Sequence, residues 1–314
     1  MKIAFFTEAQ YNGYVPRTNT NMRTDQAWIC ALNAMHYNVM QIPNDEYDVG
    51  IVIIPKEQSR KNLADQNYPL ISNLRNKCKL VFVMQEGTHW DWMEDSVNTM
   101  CWFYNQLMES DALLCHNDID VKYYSGITSK PCHVLPTLMI EDNLSVVHPK
   151  DERVFVAGNW HQTYRGFDAW IIGREFELPM YAFKAGKYRT GEQEVTGMTY
   201  LPWTDWTKFM LELSKCKYGI QTYETSAGQF PLNCAYLGIP CIGYNQVDTQ
   251  RLLHPELSVD VGDVYSARRL VNKLKNDREM YDTCSSQCIQ LYNEMYTESK
   301  FLENFNKIIE LCKK

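Results

Sequence analysis

The chain reads as an α/β protein built from two nucleotide-binding-type domains that face a central cleft. Three observations predict this. Short continuous apolar runs alternate with segments of helical spacing, the pattern of a parallel sheet covered on both faces. The alternation stops near residue 136 and restarts after residue 152, and 314 residues carry a prior of two domains. Finally, Lys215–Tyr244 runs from apolar strand through a polar, glycine-containing turn to a helix and a second strand. In α/β proteins that arrangement holds a phosphate-bearing ligand, because backbone N–H groups at the helix start face the anion.

Taken in order, Ile3–Thr7 is a short apolar strand, and a polar loop with Gly13 and Pro16 follows it from Glu8 to Thr24. Asp25–His36 has helical spacing, with Trp28, Leu32 and Met35 on one face. Val39–Ile42 and Val49–Ile54 read as buried strands, Leu70–Arg75 as a helix and Leu80–Met84 as a strand. A helix over Val97–Met108 leads to strand Ala112–Cys115, and His133–Leu135 is the last strand of this half. Residues 136–152 read as a linker, bracketed by Pro136 and Pro149 and interrupted by Glu-Asp-Asn. Val154–Ala157 is then a strand ending in Gly158, Phe167–Phe176 a helix, and Pro179–Phe183 and Glu194–Met198 strands. Trp206–Ser214 is an amphipathic helix. Strand Tyr218–Thr222, helix Phe230–Leu237 and strand Cys241–Tyr244 make up the opening segment. A strand near Leu257–Val261 and helices Ala267–Asn276, Glu279–Met295 and Glu298–Cys312 complete the chain. The expected boundaries are 1–145 and 146–290, with 291–314 packing back toward the N-terminal domain.

Composition narrows the function. With 45% hydrophobic and 22% charged residues, this is ordinary globular usage. No apolar run approaches the roughly 18 residues needed to span a bilayer, and the N-terminus has no signal-peptide apolar region. Eleven scattered cysteines, an odd count, read as reduced thiols in a cytoplasmic protein, and the Cys284/Cys288 pair falls at helical spacing. The net charge is −7, and the first 145 residues hold 11 Lys and Arg against 17 Asp and Glu. Bulk electrostatics therefore do not favour a nucleic-acid partner. Basic clusters at Lys56, Arg60 and Lys61 and at Arg75, Lys77 and Lys79 read as solvated faces.

Two motifs carry chemistry. In the first, the strand Val154–Ala157 ends in Gly158-Asn159, His161 follows, and Arg165 lies seven positions past Gly158. Glycine lets the backbone approach a ligand closely, and a planar guanidinium grips a diphosphate. The second is the turn Thr225-Ser226-Ala227-Gly228 before the helix. A surface arginine in a loop is the alternative for Arg165.

In this order, with Gly197-Met-Thr-Tyr-Leu-Pro202 between the motifs and Asn233 and Gly238-Ile-Pro240 after them, the region from about Arg153 to Asn276 resembles the donor domain of GT-B glycosyltransferases. The resemblance implies a GT-B-like fold of two Rossmann-type domains. It also implies a nucleotide-diphosphate sugar as co-substrate, bound by Gly158, Asn159, His161, Arg165, Thr225, Ser226, Ala227, Gly228 and Asn233. Retaining members carry glutamates at the positions matched by Thr225 and Asn233, and this chain departs from that pattern; Asn233 keeps hydrogen-bonding capacity toward a ribose without the charge. In layout the whole chain is also similar to phage DNA beta-glucosyltransferases, through Met-Lys-Ile-Ala at the start, Glu46-Tyr47-Asp48 and Arg165. That likeness implies a hydroxymethylated pyrimidine in DNA as acceptor and a catalytic carboxylate after the fourth strand, where Glu86 stands.

A sugar transfer needs a group to take the acceptor hydroxyl's proton. Glu86 suits that task and Asp91 competes for it; a helix-capping or solvated carboxylate is the alternative for Glu86. Asn12–Arg23 and Glu86–Trp92 are the acceptor-side loops, with Arg23, His89 and His116 as acceptor or sugar contacts; both histidines also read as structural. The dense aromatics Trp90, Trp92, Trp102, Phe103 and Tyr104 are an acceptor platform or core. Lys184, Lys187 and Arg189 either approach the donor or are solvated. Asp118-Ile-Asp120 has metal-ligand spacing but lies in the acceptor half, so no metal is expected. The acidic first half speaks for a rival acceptor, a glycan or small hydroxylated molecule. A non-catalytic nucleotide-sugar-binding module is the reading from another class. A dehydrogenase is disfavoured because no Gly-x-Gly-x-x-Gly follows a strand.

Overall fold

The computed structural model describes residues 1–9, 12–85, 87, 89–144, 150–157, 160, 164–183, 197–224 and 227–313. The chain forms two compact units: Met1–Asn19, Thr24–Leu138 and Glu298–Lys314 make the first, Thr20–Arg23 and Met139–Thr297 the second. Among the described residues no helix is long and apolar enough to cross a membrane, and the eleven cysteines form no disulfide.

The first unit holds a six-stranded parallel sheet of β1 (Ile3–Thr7), β2 (Met35–Asn38), β3 (Tyr47–Ile54), β4 (Cys78–Gln85), β5 (Ala112–Cys115) and β6 (Cys132–Val134), in the order β2-β1-β3-β4-β5-β6. The inner runs of its central strands, Val49–Ile54 and Val81–Met84, are apolar, as in a parallel sheet buried on both faces. Phe5, Phe6 and Phe82 are fully buried, each worth about 1.5–3 kcal/mol relative to exposure. Tyr47 pairs opposite Cys78 and Ile54 opposite Gln85, so β3 and β4 end level.

The first helix is shorter than its apolar spacing predicts. It spans Thr24–Ala31, because Asn33 turns left-handed at φ 46°. The N–H of Ala34 then reaches Ile29 O (2.9 Å) and that of Asn33 reaches Cys30 O (3.0 Å), a Schellman closure with asparagine in the glycine position. The chain released there forms β2 beside β1, with Met35 opposite Ala4, so the expected strand Val39–Ile42 is displaced upstream. Two further helices escape the apolar pattern. Glu57–Asp65 buries only Arg60, Leu63 and Ala64, and Asp118–Ile127 only Asp120 and Tyr124. The final helix, Glu298–Cys312, belongs to this unit. Phe301 stacks with Trp28 at 6.5 Å, and Arg17 holds Glu298 through two hydrogen bonds of 2.9 and 2.7 Å.

The second unit's sheet contains β7 (Asp151–Val156), β8 (Met180–Phe183), β9 (Met198–Leu201), β10 (Cys216–Gln221), β11 (Cys241–Tyr244) and β12 (Ser258–Val259), again all parallel, in the order β12-β11-β10-β7-β8-β9. Read from β9, this is the doubly wound order 3-2-1-4-5-6. Aspartates set several helix starts. Asp205 accepts from Lys208 N, Asp263 from Ser266 N and Asp277 from Met280 N, each satisfying an otherwise orphaned donor. This is why the helices Val264–Asn276 and Arg278–Met295 begin ahead of the expected starts at Ala267 and Glu279.

Residues 136–152 are not a simple linker. Pro136 O accepts from the Trp28 indole (3.0 Å), Leu138, Met139 and Ile140 are buried, and β7 already begins at Asp151. The units change over between Leu138 and Met139, ahead of residue 145. The strand expected at Glu194–Met198 falls mostly outside the described residues, and the described strand starts at Met198.

Candidate functional site

In the second unit β7 and β10 are neighbours whose onward connections run in opposite directions. The crevice beyond the carboxyl ends of such a pair is where open α/β sheets bind ligands. Both sequence motifs leave the sheet there. Gly158, Asn159, His161, Thr225 and Ser226 lie outside the described residues, and so do Lys184, Lys187 and Arg189. The described remainder is stitched together. The Thr222 hydroxyl donates to Tyr164 O (2.9 Å) and Arg165 O (3.1 Å), and the Tyr164 and Tyr223 rings meet edge-on at 4.9 Å. Buried Gln221 accepts from Tyr223 N (2.9 Å) and donates to Tyr244 O (3.2 Å).

Arg165 precedes the helix Gly166–Arg174 at φ 45°, ψ 46°, a left-handed conformation uncommon for a side chain of this size. Its Nε donates to Glu224 Oε1 at 2.6 Å, Nη2 pairs with the same carboxylate, and Nη1 lies 3.5 Å from Asp168 Oδ2. Tyr244 in turn donates to Asp168 (2.7 Å). Burial works against the guanidinium's charge, but Glu224, Asp168 and Tyr244 outweigh it and hold Arg165 above its ordinary pKa. Burial first and Asp168 second push the Tyr244 phenol up, which keeps it a donor. The arrangement presents a permanently charged planar fork whose partner carboxylate a phosphate oxygen can replace.

After β10, half-buried Ala227 leads to Gly228 at φ 72°, which opens the helix Gln229–Tyr236. Only glycine fits. A Cβ here would lie 2.2 Å from Thr249 Oγ1 and 2.9 Å from Val247 Cγ1, and Thr249 Oγ1 donates to Gly228 O at 2.7 Å. Asn233, one turn on, is buried, and its Oδ1 accepts from Gln229 Nε2 (2.9 Å) and the Trp206 indole (3.4 Å). Its amide oxygen is therefore committed to the fold, leaving Nδ2 for any ribose contact. Arg23, expected on the acceptor side, belongs to the second unit. It bridges Met139, and its charge restrains the rise in the Tyr223 pKa that burial causes.

In the first unit the expected residues cluster after β4. Glu86 lies outside the described residues. Asp91 is the counter-ion of buried Arg60 (3.1 Å), which also pairs with Asp95 at 2.6 Å, so Arg60 is not the solvated cation its neighbours suggested. Its Nη1 is buried without a partner. Arg75 bonds Asp111, and Lys79 bonds Asp48. His89 Nδ1 meets Asp120 Oδ1 at 2.8 Å, and Asn117 Nδ2 donates to the other oxygen at 2.9 Å. His116 stacks on Trp28 at 5.4 Å with its Nδ1 buried and unpaired. Burial lowers its pKa to about 4 against the pull of Asp120, which fits the structural reading of this histidine. Trp102, Phe103 and Trp92 pack with the core, while Tyr104 is exposed.

Sequence reasoning missed Glu224, Asp168 and Tyr244 around Arg165, and Asp120 behind His89. Asp168 was findable as a carboxylate three residues after Arg165 in a helix's first turn. The Glu224 and Asp120 pairings span 59 and 31 residues, beyond any local pattern.

No family model and no curated protein matches the chain. Among solved structures it is similar to a sucrose-phosphate synthase from Thermosynechococcus elongatus, at 10% identity and TM-score 0.71, with 99% of each chain covered. An alpha-glucosyltransferase in complex with UDP and a 13-mer DNA containing an HMU base gives 11% identity and TM-score 0.60, covering 100% of this chain and 99% of that one. An E. coli trehalose-6-phosphate structure bound with UDP-2-fluoro glucose gives 10% and 0.60, covering 85% and 74%. At such identities the likeness establishes the fold, which is that of GT-B glycosyltransferases.

Proposed function

From this shared fold we propose that the protein is a glycosyltransferase that moves a sugar from a nucleotide diphosphate to an acceptor hydroxyl. The observation that carries the reading is Arg165 held against Glu224, just after β10 at the β7/β10 switch point, with the helix Gln229–Tyr236 following in the chain. A guanidinium and helix N–H groups stabilise a diphosphate as it leaves, where negative charge grows in the transition state. That supply of positive potential supports transfer without a metal. We read Glu86 as the base that takes the acceptor proton, with Asp91, the counter-ion of Arg60, as its competitor. The eleven cysteines, none of them in a disulfide, accord with a reducing, cytoplasmic setting.

For the acceptor, we read a hydroxymethylated pyrimidine in DNA, supported by the full-length likeness to a glucosyltransferase solved with DNA. A glycan or small hydroxylated acceptor is the second reading. It is favoured by the acidic first unit, where Arg60, Arg75 and Lys79 are already paired with carboxylates. Acceptor binding as a function of salt separates the two, because each phosphate neutralised adds about 0.9 to the slope of log K against log salt.

The donor claim is tested by thermal shift with UDP, GDP, UDP-glucose and GDP-glucose. A ligand at one hundred times its Kd stabilises the fold by about 2.7 kcal/mol, and Arg165→Ala is expected to abolish the shift. No shift with any of these ligands overturns the reading.

A further inference from the structure

We propose that the outer row of the helix Gly166–Arg174 holds single-stranded nucleic acid, stacking an unpaired base on Phe167 and pairing a backbone phosphate with Arg174. The proposal goes beyond the transfer reading, since it needs neither a donor nor a reaction. The helix buries Gly166, Ala169, Ile172 and Gly173. Phe167, Trp170 and Arg174 stand at i, i+3 and i+7, so they share a row that reaches solvent. On a surface helix such a row ordinarily carries charged and polar groups. Here Phe167 is 57% exposed and belongs to a cluster of three rings. Its centroid lies 5.8 Å from that of Trp170 and 6.1 Å from that of Trp160, and the two indoles are 5.8 Å apart. Both indoles are half-buried and pack against the core of the second unit. The Trp160 indole also donates to the Tyr200 hydroxyl at 3.3 Å. Phe167 therefore stands in water on a foundation that is held in place. A single exposed ring is ordinary, whereas a contiguous aromatic patch rimmed by polar groups marks a binding surface.

Charge says what kind of ligand fits. The Arg174 guanidinium carbon stands 4.9 Å from the Trp170 ring centroid. Arg174 is exposed and makes no ion pair among the described residues. The carboxylates nearest to it in the chain are engaged elsewhere. Asp168 bonds Arg165 and Tyr244, Glu175 bonds Arg268 and Asn272, and Glu177 bonds Lys275. An aromatic surface bordered by such a cation is complementary to a ligand that joins a planar ring to an anion. A nucleotide unit of a strand has both, and the stacking accepts any base because every base has a π-face. The strand is single, because in a duplex the base faces are covered by their neighbours. A neutral sugar also packs on aromatic rings, but it leaves Arg174 without a role.

The test is fluorescence anisotropy of a labelled oligothymidylate with the full chain, across salt and with saturating UDP present or absent. Binding is expected, and Phe167→Ala should weaken it about 5- to 150-fold through loss of one stacked base. Arg174→Gln should lower the slope of log K against log salt by about 0.7, the share of one phosphate on a single strand. An abasic strand of equal length should bind the wild type about as weakly as the oligothymidylate binds Phe167→Ala. Saturating UDP should leave the wild-type affinity unchanged. Both substituted side chains are exposed, so both variants should keep the wild-type Tm. As a readout that needs no variant at Phe167, the strand should quench indole fluorescence, and Trp170→Phe should reduce the quenching. Five results overturn the proposal: no binding of the oligothymidylate, wild-type affinity in Phe167→Ala, an unchanged salt slope in Arg174→Gln, equal affinity for the abasic strand, or displacement by UDP, which puts the strand at the candidate donor site instead. Binding of a neutral maltooligosaccharide in place of the strand overturns it as well.

Discussion

Replacing Gly228 by alanine tests the packing of the turn before the helix Gln229–Tyr236 most directly. The backbone stands at φ 72°, where an L side chain costs about 1–2 kcal/mol. The new Cβ would sit 2.2 Å from Thr249 Oγ1 and 2.9 Å from Val247 Cγ1, an overpacking of about 1–3 kcal/mol in a well-filled interior. Relieving it pushes Thr249 aside and breaks its bond to Gly228 O, worth about 1 kcal/mol. The expected loss is about 3–6 kcal/mol, a Tm decrease on the order of 10 °C for a unit of this size, read by calorimetry on the full chain. Thr249→Ala removes the obstructing oxygen, so the double variant should recover about 1–3 kcal/mol relative to the sum of the singles. A Gly228→Ala protein within about 0.5 kcal/mol of wild type, or a strictly additive cycle, would refute the packing argument.

Three other outcomes are expected. On the proposed donor reading, Glu224→Gln removes the carboxylate that would compete with a phosphate for Arg165. The pair is 36% and 26% exposed, so its worth is about 0.2–1 kcal/mol, and calorimetric titration should show UDP binding about 1.4- to 5-fold tighter at low salt; weaker binding sinks the idea. His116 and His254 are both held at about 4 by burial, below their ordinary 6.5. The folded state therefore binds fewer protons than the unfolded chain below pH 6.5, and stability that is complete above 6.5 falls as pH drops toward 4, by on the order of 3 kcal/mol for each ring. Urea midpoints from pH 7 to 4.5 measure this, and His116→Phe should flatten the profile. Finally, Asp91→Asn with Asp95→Asn strands the Arg60 guanidinium and should cost about 3 kcal/mol or more, whereas Arg60→Met, which removes the buried charge itself, should cost less; chemical denaturation that ranks them the other way contradicts the assignment.

Long apolar runs made the sheets legible. β1, β5 and β11 match their expected bounds, and so do the helices Leu70–Arg75, Trp206–Ser214 and Glu298–Cys312. Periodicity failed where something other than apolar spacing decided. A single left-handed asparagine ended the first helix, and Glu57–Asp65 buries an arginine where a leucine would have announced it. At the candidate site, glycine placement and motif order are what single out Arg165, Ala227 and Gly228 in the sequence. The network that holds Arg165 was not legible there, since Glu224 and Tyr244 reach it only through strand order. Arg23 was assigned to the wrong half because four residues of the first segment join the second unit, where Thr20 O accepts from Thr207 N and Asn21 from Trp206 N.

The course of the polypeptide has a consequence for its synthesis. Because Glu298–Cys312 supplies Phe301 and Phe305 to the interior of the amino-terminal unit, a ribosome that has translated the whole of the opening sheet has still not delivered the residues that seal it. A nascent chain halted anywhere before codon 298 would carry an uncovered Trp28 face. Expression of residues 1–138 alone is therefore expected to yield a sticky, protease-sensitive fragment, and a synthetic peptide of residues 298–313 added in trans should rescue it.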